Sequence, residues 1–114
     1  MAKRTIKKSD YINKPGIWSA GGVVLRSTKI SSEVLLCERT SENLVALPKG
    51  KPNNEENEVE AALREVEEET GIKVSIQRKV REIFYSFHSG NSRINKKVIF
   101  FLMKTVSGLS LIHI

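Results

Sequence analysis

Three glutamates with helical spacing are the clearest candidates for chemistry in this chain. Glu65, Glu68 and Glu69 are related as i, i+3 and i+4, so on a helix their carboxylates are neighbours. Like charges at this spacing repel each other, and near a helix C-terminus they also oppose the helix dipole. Mg²⁺ or Mn²⁺ would relieve both conflicts, because these ions prefer carboxylate oxygens and keep phosphates and water as further ligands. The alternative is an acidic helix face in contact with solvent.

A helix from Asn57 to Thr70 must position these carboxylates. One apolar stripe recurs at helical spacing in this segment, and it consists of Val59, Ala62, Leu63, Val66 and Thr70. Asn54 or Asn57 can cap the start of the helix, and Gly71 stands where a helix-terminating glycine belongs.

Charge is distributed unevenly along the chain. Its 19 Lys and Arg exceed its 13 Asp and Glu, and the net charge of +6 favours an anionic partner such as a phosphate. Most of the acids fall between Glu55 and Glu69, an arrangement that suggests a cation site facing an anionic ligand. Arg64 lies inside this acidic block, where Glu56 could reach its guanidinium and fix the preceding loop against the helix.

Length and composition exclude several classes of protein. A chain of 114 residues predicts one domain that can bury a single core. One cysteine excludes an intramolecular disulfide and fits a reducing compartment, so we expect a cytoplasmic protein. No stretch approaches the roughly 18 apolar residues of a membrane span, and no recognition motif for nucleic acid accompanies the positive charge. We therefore expect neither a membrane nor a specific nucleic acid as a partner.

Several strands are predicted around the helix, which indicates a mixed α/β or α+β domain. The candidates are 18–26, 33–38, 72–76, 80–87 and 98–103, the last as a central strand. Gly21 and Gly22 mark a bulge or a close backbone approach. Residues 1–16 form a basic lead-in that is irregular as far as Pro15, and 88–95 form a turn. Residues 106–114 have the pattern of a further strand that is cut off.

The segment from Gly50 to Ile72 resembles the Nudix box, whose pattern is G-x5-E-x7-R-E-U-x-E-E-x-G-U with U apolar. All seven fixed positions and both apolar positions are filled, by Gly50, Glu56, Arg64, Glu65, Val66, Glu68, Glu69, Gly71 and Ile72. At roughly 6 to 7% per residue type, seven fixed matches arise by chance about once in 10⁸ to 10⁹ windows. AGGVVL (20–25) and LPKGK (47–51) are also similar to Nudix sequence, and the resemblance extends from about residue 18 to 104.

The resemblance implies a Mg²⁺- or Mn²⁺-dependent pyrophosphohydrolase that cleaves a nucleoside diphosphate linked to another group. Glu65, Glu68 and Glu69 would be the catalytic metal ligands, helped by the carbonyl of Gly50, and one of the glutamates would accept the proton of the attacking water. Which glutamate does so stays open. The motif residues with an implied structural role are Glu56, Arg64 and Gly71.

Four further residues are candidates for contacts with the substrate. Arg39, Lys49 and Lys51 could bind the remaining phosphate oxygens, and Tyr85 could stack on a base. Ordinary surface charge is the alternative for the three cations, and strand packing is the alternative for Tyr85.

The fold implied by the resemblance is an α/β/α sandwich around a mixed sheet, with residues 17–114 as the Nudix domain. The family fold usually continues for another strand and a second helix, of which this chain shows only the cut-off strand pattern. We therefore expect a domain truncated at its C-terminus, with one apolar sheet face uncovered and a tendency to self-associate. No acid follows Glu82, so the later acidic ligand of many members has no counterpart.

The resemblance leaves the substrate and two other functional classes open. LPKGK and the basic residues after the box favour dinucleoside polyphosphates, and nucleoside triphosphates come second. A module that senses a nucleotide without turnover is one alternative class, which the intact box disfavours. An inactive fragment is the other. Phosphate release from a panel of nucleotides with Mg²⁺ or Mn²⁺ separates these three.

Overall fold

The computed structural model describes residues 3–27, 32–34, 37–39 and 44–106. Its strands are β1 (Arg4–Thr5), β2 (Ile17–Ser27), β3 (Ser32–Val34), β4 (Cys37–Arg39), β5 (Leu44–Ala46), β6 (Lys49–Gly50), β7 (Val74–Ser89) and β8 (Ser92–Thr105). Its helices are α1 (Lys8–Asn13) and α2 (Glu58–Thr70). The predicted mixed α/β fold is confirmed. Neither helix in the described ranges is long and apolar enough to span a membrane.

The main sheet has the strand order β1-β7-β8-β2-β3, and β6 pairs with β2 beside this path. β8 is antiparallel to β7 and parallel to β2, so both of its edges are hydrogen-bonded. This arrangement confirms the prediction of 98–103 as a central strand. β4 and β5 pair with each other in a separate two-stranded sheet.

The core lies between α2 and the central strands. Its buried side chains are Ala20, Val24, Ala61, Ala62, Val66, Ile99, Phe101 and Met103. A side chain at Gly22 would collide with Met103, and one at Gly21 would collide with the carbonyl of Pro48. The predicted close approach at the glycine pair is therefore confirmed. It lets the Pro48 carbonyl and the Met103 side chain lie directly against the backbone of β2.

Helix α2 begins and ends where the sequence predicts. Asn57 Oδ1 accepts from the Glu60 N–H at 2.8 Å and Glu60 Oε1 accepts from the Asn57 N–H at 3.0 Å, which together make a capping box. Gly71 ends the helix with φ 74°, a left-handed conformation that favours glycine. The predicted stripe was wrong at its first turn, because Val59 is 41% exposed while Ala61 is buried. The face turned to the sheet is displaced toward Glu58, Ala61 and Glu65, so it includes carboxylates.

Three strand boundaries differ from the prediction. β7 is one strand rather than two, because two register shifts against β8 absorb the polar residues around Gln77. The turn after it is short and contains Gly90, with φ 62°, so most of 88–95 lies in β7 and β8. The strand predicted over 33–38 overlaps β3, which pairs with β2, and β4, which pairs with β5, while residues 35 and 36 between them lie outside the described residues. The strand predicted over 106–114 lies, from residue 107 onward, outside the described residues.

Residues 3–16, the described part of the lead-in, contain a strand and a helix where irregular chain was predicted. β1 adds to the sheet by pairing with Tyr85 and Ser86 of β7. Tyr11 of α1 is buried, its hydroxyl donates to the Ile17 carbonyl at 3.0 Å, and its ring lies 5.7 Å from that of Phe84. Sequence reasoning missed these elements because a two-residue strand and a six-residue helix carry almost no periodic signal of their own.

Both helices contact the same face of the main sheet. Lys97 of β8 approaches the Tyr11 ring of α1 and the Glu58 carboxylate of α2. The opposite face has a largely apolar groove of about 310 Å³, lined by Val23, Leu47, Val80, Arg81, Ile83 and Phe100.

Candidate active site

The loop that precedes α2 is fixed to the sheet through β6. Lys49 and Gly50 pair with Gly21 and Ala20 of β2, and the Gly22 N–H donates to the Pro48 carbonyl at 3.1 Å. A side chain at Gly50 would collide with the Glu65 carboxylate. Glycine at this position therefore allows the carboxylate to lie directly against the backbone of the loop.

Arg64 joins this loop to α2. Its Nε and Nη2 donate to the two carboxylate oxygens of Glu56 at 2.7 and 2.9 Å, so the bridge predicted between these residues is present and is bidentate. Nη2 also donates to the Lys51 carbonyl at 2.9 Å. The Asn53 N–H donates to Glu56 at 2.7 Å, which closes the turn of the loop. These bonds hold residues 51–56 against the helix.

The remaining nitrogen of the same guanidinium brings two of the predicted ligands together. Arg64 Nη1 donates to Glu65 Oε1 and to Glu68 Oε1, both at 2.8 Å. The Glu65 side chain is 14% exposed, while that of Glu68 is 58% exposed. The third glutamate points to the loop, where Glu69 Oε2 accepts from the Lys49 N–H at 3.3 Å. All three carboxylates thus lie along the contact between α2 and the loop.

The donor set suits a hard divalent cation, although its members are engaged with other partners. Carboxylates of Glu65, Glu68 and Glu69 and the carbonyl of Gly50 supply only oxygen ligands, which Mg²⁺ and Mn²⁺ prefer. Within the described ranges no three acidic side chains converge closely enough to form a metal site. A guanidinium nitrogen between Glu65 and Glu68 shows that their charge already attracts a cation to this place. The residue types therefore fit a divalent ion, while the structure directs Glu65 and Glu68 to Arg64.

Electrostatics stabilise the bridge between loop and helix. The hydrogen bond from Arg64 holds the pKa of Glu56 below its ordinary value, and the Asn53 N–H lowers it further. The hydrogen bond to Glu56 raises the pKa of Arg64 above its ordinary value, and Glu65 adds to this effect. Arg64 therefore stays charged, and Glu56 stays ionised to a lower pH than an ordinary glutamate.

The other predicted contacts lie at different distances from these carboxylates. Lys49 and Lys51 belong to the loop itself, Lys51 with an exposed side chain. Arg39 lies on β4, opposite Leu44, and its contact with phosphate stays a prediction. Tyr85 is not brought to the loop, because β8 and β2 separate β7 from β6. Its ring instead lies 4.9 Å from Lys3 Nζ and 6.2 Å from the Phe87 ring.

Sequence reasoning missed a second group of charges at the start of α2. Glu58 is bridged by Lys97 at 2.8 Å and by Lys79 at 3.2 Å. Partial burial raises the pKa of Glu58, but the hydrogen bonds from Lys97 and Lys79 outweigh burial and hold it below its ordinary value. Only the register of β7 against β8 brings these lysines together, so the sequence carried no local signal for this group.

Known proteins are similar to this chain in sequence and in fold. The sequence model described as NUDIX domain matches residues 17–110. A protein of Mycobacterium tuberculosis (strain CDC 1551 / Oshkosh), whose name describes it as mutator protein MutT4, is 33% identical over 96 residues. That match covers 79% of this chain and 39% of the relative, so the chain spans about two-fifths of the relative's length.

Solved structures with a similar fold include two of an Ap4A hydrolase from C. elegans. One superposes with a TM-score of 0.64 and 26% identity, over 78% of this chain and 67% of that one. The other, a binary complex, has a TM-score of 0.66 and 26% identity, over 86% of this chain and 75% of that one. A NUDIX hydrolase from Nitrosomonas europaea, at 20% identity and a TM-score of 0.63 over 87% of this chain and 65% of that one, shares the fold.

Proposed function

Because the chain belongs to the NUDIX domain family, we propose that it is a metal-dependent pyrophosphohydrolase acting on dinucleoside polyphosphates. One observation carries the proposal: the carboxylates of Glu65 and Glu68 converge on one cationic nitrogen, Arg64 Nη1, at 2.8 Å each, beside the loop that contains Gly50. Such a concentration of carboxylates costs stability through mutual repulsion. A bound divalent ion would offset this repulsion, which gives the arrangement a functional reason.

Residues of the loop and helix would hold Mg²⁺ or Mn²⁺ and the substrate. Glu65, Glu68 and Glu69 would bind the ion together with the Gly50 carbonyl. When bound, the ion would offset the charge of the phosphate oxygens and acidify a neighbouring water. Lys49, Lys51 and Arg39 would bind the phosphate oxygens that remain. Arg64 would keep the loop and the helix in register through Glu56, and Glu65 and Glu68 would hold the ion in place of their bonds to Arg64.

The reaction is a hydrolysis of one phosphoanhydride bond. One of the three glutamates accepts a proton from water, the water oxygen bonds to phosphorus, and the bridging oxygen leaves with the second nucleotide. Single Glu→Gln variants at the three positions would identify the proton acceptor, because loss of the base changes the pH profile of kcat as well as its size.

Two likenesses support different substrates. The Ap4A hydrolase structures, at 26% identity over most of this chain, favour a dinucleoside polyphosphate. The likeness to a protein named as a mutator protein favours the second candidate, hydrolysis of nucleoside triphosphates, because replication fidelity depends on the nucleotide pool. We also propose that the protein works in the cytoplasm, on the ground that its single cysteine fits a reducing compartment.

A panel assay tests the proposal. The chain is incubated with Ap4A, nucleoside triphosphates, ADP-ribose and nucleotide sugars, each with Mg²⁺, with Mn²⁺ or with EDTA, and products are separated by anion exchange. We expect turnover with either ion and none with EDTA, with the highest kcat/KM for Ap4A. Binding of nucleotides without hydrolysis of any of them would show a sensing module instead.

A further inference from the structure

The first turn of α2 is tied to the sheet by charge as well as by the small buried side chain of Ala61. Glu58 is the first residue of the helix, and its two carboxylate oxygens contact two different strands. Oε2 lies 2.8 Å from Lys97 Nζ on β8, and Oε1 lies 3.2 Å from Lys79 Nζ on β7. Val59, the larger apolar residue of this turn, is 41% exposed. The carboxylate of Glu58 therefore takes the place of the apolar anchor that the helical pattern predicts.

The same charges continue from α2 to α1. Lys79 Nζ also lies 3.2 Å from Glu82 Oε2, and Glu82 Oε1 lies 3.2 Å from Lys8 Nζ on α1. Five residues thus alternate in sign along one path, in the order Lys97, Glu58, Lys79, Glu82 and Lys8. The ring of Tyr11 lies 5.6 Å from Lys97 Nζ at the other end of the path. α1 precedes residues 17–110, so the path joins a segment outside the family match to the helix that bears the carboxylates.

The geometry of α2 allows a shift at its first turn to reach the site. Glu65 and Glu69 follow Glu58 by about two and three helical turns, on the same side of the helix. Between Glu58 and Glu65 the buried contacts with the core are made by Ala61 and Ala62, whose short side chains permit close approach, and Val66 adds a larger buried side chain after Glu65. A metal site made of carboxylates is sensitive to such a shift of the helix, because the distances from the ligands to the ion must stay within a few tenths of an ångström.

We propose that Glu58 is a positioning residue for the site formed by Glu65, Glu68 and Glu69. Its bridges to Lys79 and Lys97 set the position of α2 along its axis and its rotation, and so place Glu65 and Glu69 against the Gly50 loop. Glu82, Lys8 and Tyr11 extend this support to the N-terminal segment. The inference rests on the proposed function only in that the site binds a divalent cation.

The test uses the full chain and measures Mn²⁺ binding without nucleotide. Wild type, Glu58→Gln, Lys97→Met and the double variant are compared by calorimetric titration, with thermal melting of each. We expect Glu58→Gln to weaken Mn²⁺ binding by about 10-fold, as loss of an outer support of metal ligands does. Lys97→Met should weaken it in the same direction, and should add almost nothing in the Glu58→Gln background because both act through one bridge. If Glu58→Gln fails to fold, Lys97→Met alone decides.

Glu67→Gln is the matched control. It removes the same charge from the same helix, at a position closer in sequence to Glu65, Glu68 and Glu69. The ion pair of Glu67 with Lys73 is long, at 4.0 Å, so little support is lost with it. If long-range attraction for the cation were the cause, Glu67→Gln would weaken Mn²⁺ binding at least as much as Glu58→Gln. Equal losses in the two variants would overturn the proposal, as would a lower Tm of Glu58→Gln with unchanged Mn²⁺ affinity. If the wild type binds Mn²⁺ but hydrolyses no nucleotide, the proposed function is wrong. The comparison of Mn²⁺ affinities among the variants still tests the role of Glu58.

Discussion

At the scale of single residues, Arg64 connects more of the site than its position in the motif suggests. One guanidinium donates to three carboxylates and one carbonyl, using each of its nitrogens. The motif predicted its bridge to Glu56, because the spacing allowed the loop to return to the helix. Its sharing between Glu65 and Glu68 could not be predicted, since it depends on which rotamers the loop leaves free. Arg64 thereby offsets part of the negative charge of these carboxylates.

Replacing Arg64 by lysine should destabilise the protein. An ammonium has three donors on one nitrogen and cannot form the planar bidentate bridge to Glu56 while reaching the Lys51 carbonyl. We expect Arg64→Lys to cost about 2 kcal/mol, which is about 10 °C in Tm for a domain of this size. The measurement is thermal melting followed by circular dichroism. Arg78→Lys, at an exposed site on β7, is the control, and equal Tm values for both variants would contradict the account.

Glu55 stores backbone strain in the loop. Its φ of 69° is the one positive value recorded for a described residue other than glycine. A side chain in this region costs roughly 1–2 kcal/mol, whereas glycine adds roughly 0.5–1 kcal/mol through the entropy of the unfolded chain. Glu55→Gly should therefore keep or slightly raise the Tm.

Asn54→Gly provides the comparison for that variant. Asn54 is an exposed neighbour in the same loop and has no positive φ, so glycine there brings the entropic cost without relief of strain. We expect its Tm to fall below that of Glu55→Gly in a differential scanning measurement. The reverse order would show that the conformation of Glu55 carries no strain.

At the scale of elements, predictability followed the strength of local signals. α2 was predictable at both ends because Asn57 and Gly71 are strong cap residues and the stripe has a clear period. β7 was split in the prediction because the polar residues near Gln77 look like a turn in isolation, yet pairing with the apolar strand β8 carries them through two irregularities. β1 and α1 were missed because tertiary contacts, such as Tyr11 with Phe84, stabilise them more than their own sequence does.

Three carboxylates that bridge different elements make the stability of the fold depend on pH. Glu56, Glu58 and Glu82 join loop to helix, helix to sheet and sheet to α1, and each has a pKa below its ordinary value of 4.5. For Glu82, burial acts in the opposite direction, but hydrogen bonds from Lys8 and Lys79 outweigh it. A lowered folded-state pKa adds stability that is fully present above the unfolded-state value and is lost as pH falls through the folded-state value.

The free energy of unfolding should therefore be steady down to about pH 5.5 and fall as pH drops below 4.5, the ordinary value of these three groups. Urea unfolding at a series of pH values measures this profile. Glu58→Gln removes one of the groups, so its decline in acid should be shallower than that of wild type. Parallel declines in the two proteins would show that the bridges of Glu58 do not couple folding to protonation.

At the scale of the whole molecule, the two faces of the sheet differ in how they are covered. α1 and α2 contact one face, whereas the opposite face has the apolar groove beside Ile83, whose side chain is 38% exposed. Exposed apolar patches of this kind favour association. The sequence predicted this difference from the presence of a single long helix, and self-association stays a prediction.

Sedimentation velocity over a wide range of concentration tests that prediction. We expect the average mass to rise with concentration, and Ile83→Glu to return it toward that of the monomer, because a carboxylate in the apolar groove opposes its burial. Thr105→Glu, at the end of β8, is a control that adds the same charge away from the groove. A monomer at all concentrations, melting cooperatively, would mean that this face does not mediate association.

The central claim is that the glutamates of α2 bind a divalent cation for phosphoanhydride hydrolysis. Its most direct test is the turnover number of wild type, Glu68→Gln and Glu69→Gln on the best substrate of the nucleotide panel, with saturating Mg²⁺ and with Glu67→Gln as control. We predict a loss of at least about 100-fold in kcat for the first two variants, because each removes a ligand of the ion that offsets charge in the transition state. Glu67→Gln should keep its rate, and all variants should keep the helical signal of the wild type. Near-wild-type rates in both Glu68→Gln and Glu69→Gln would contradict the assignment of the site.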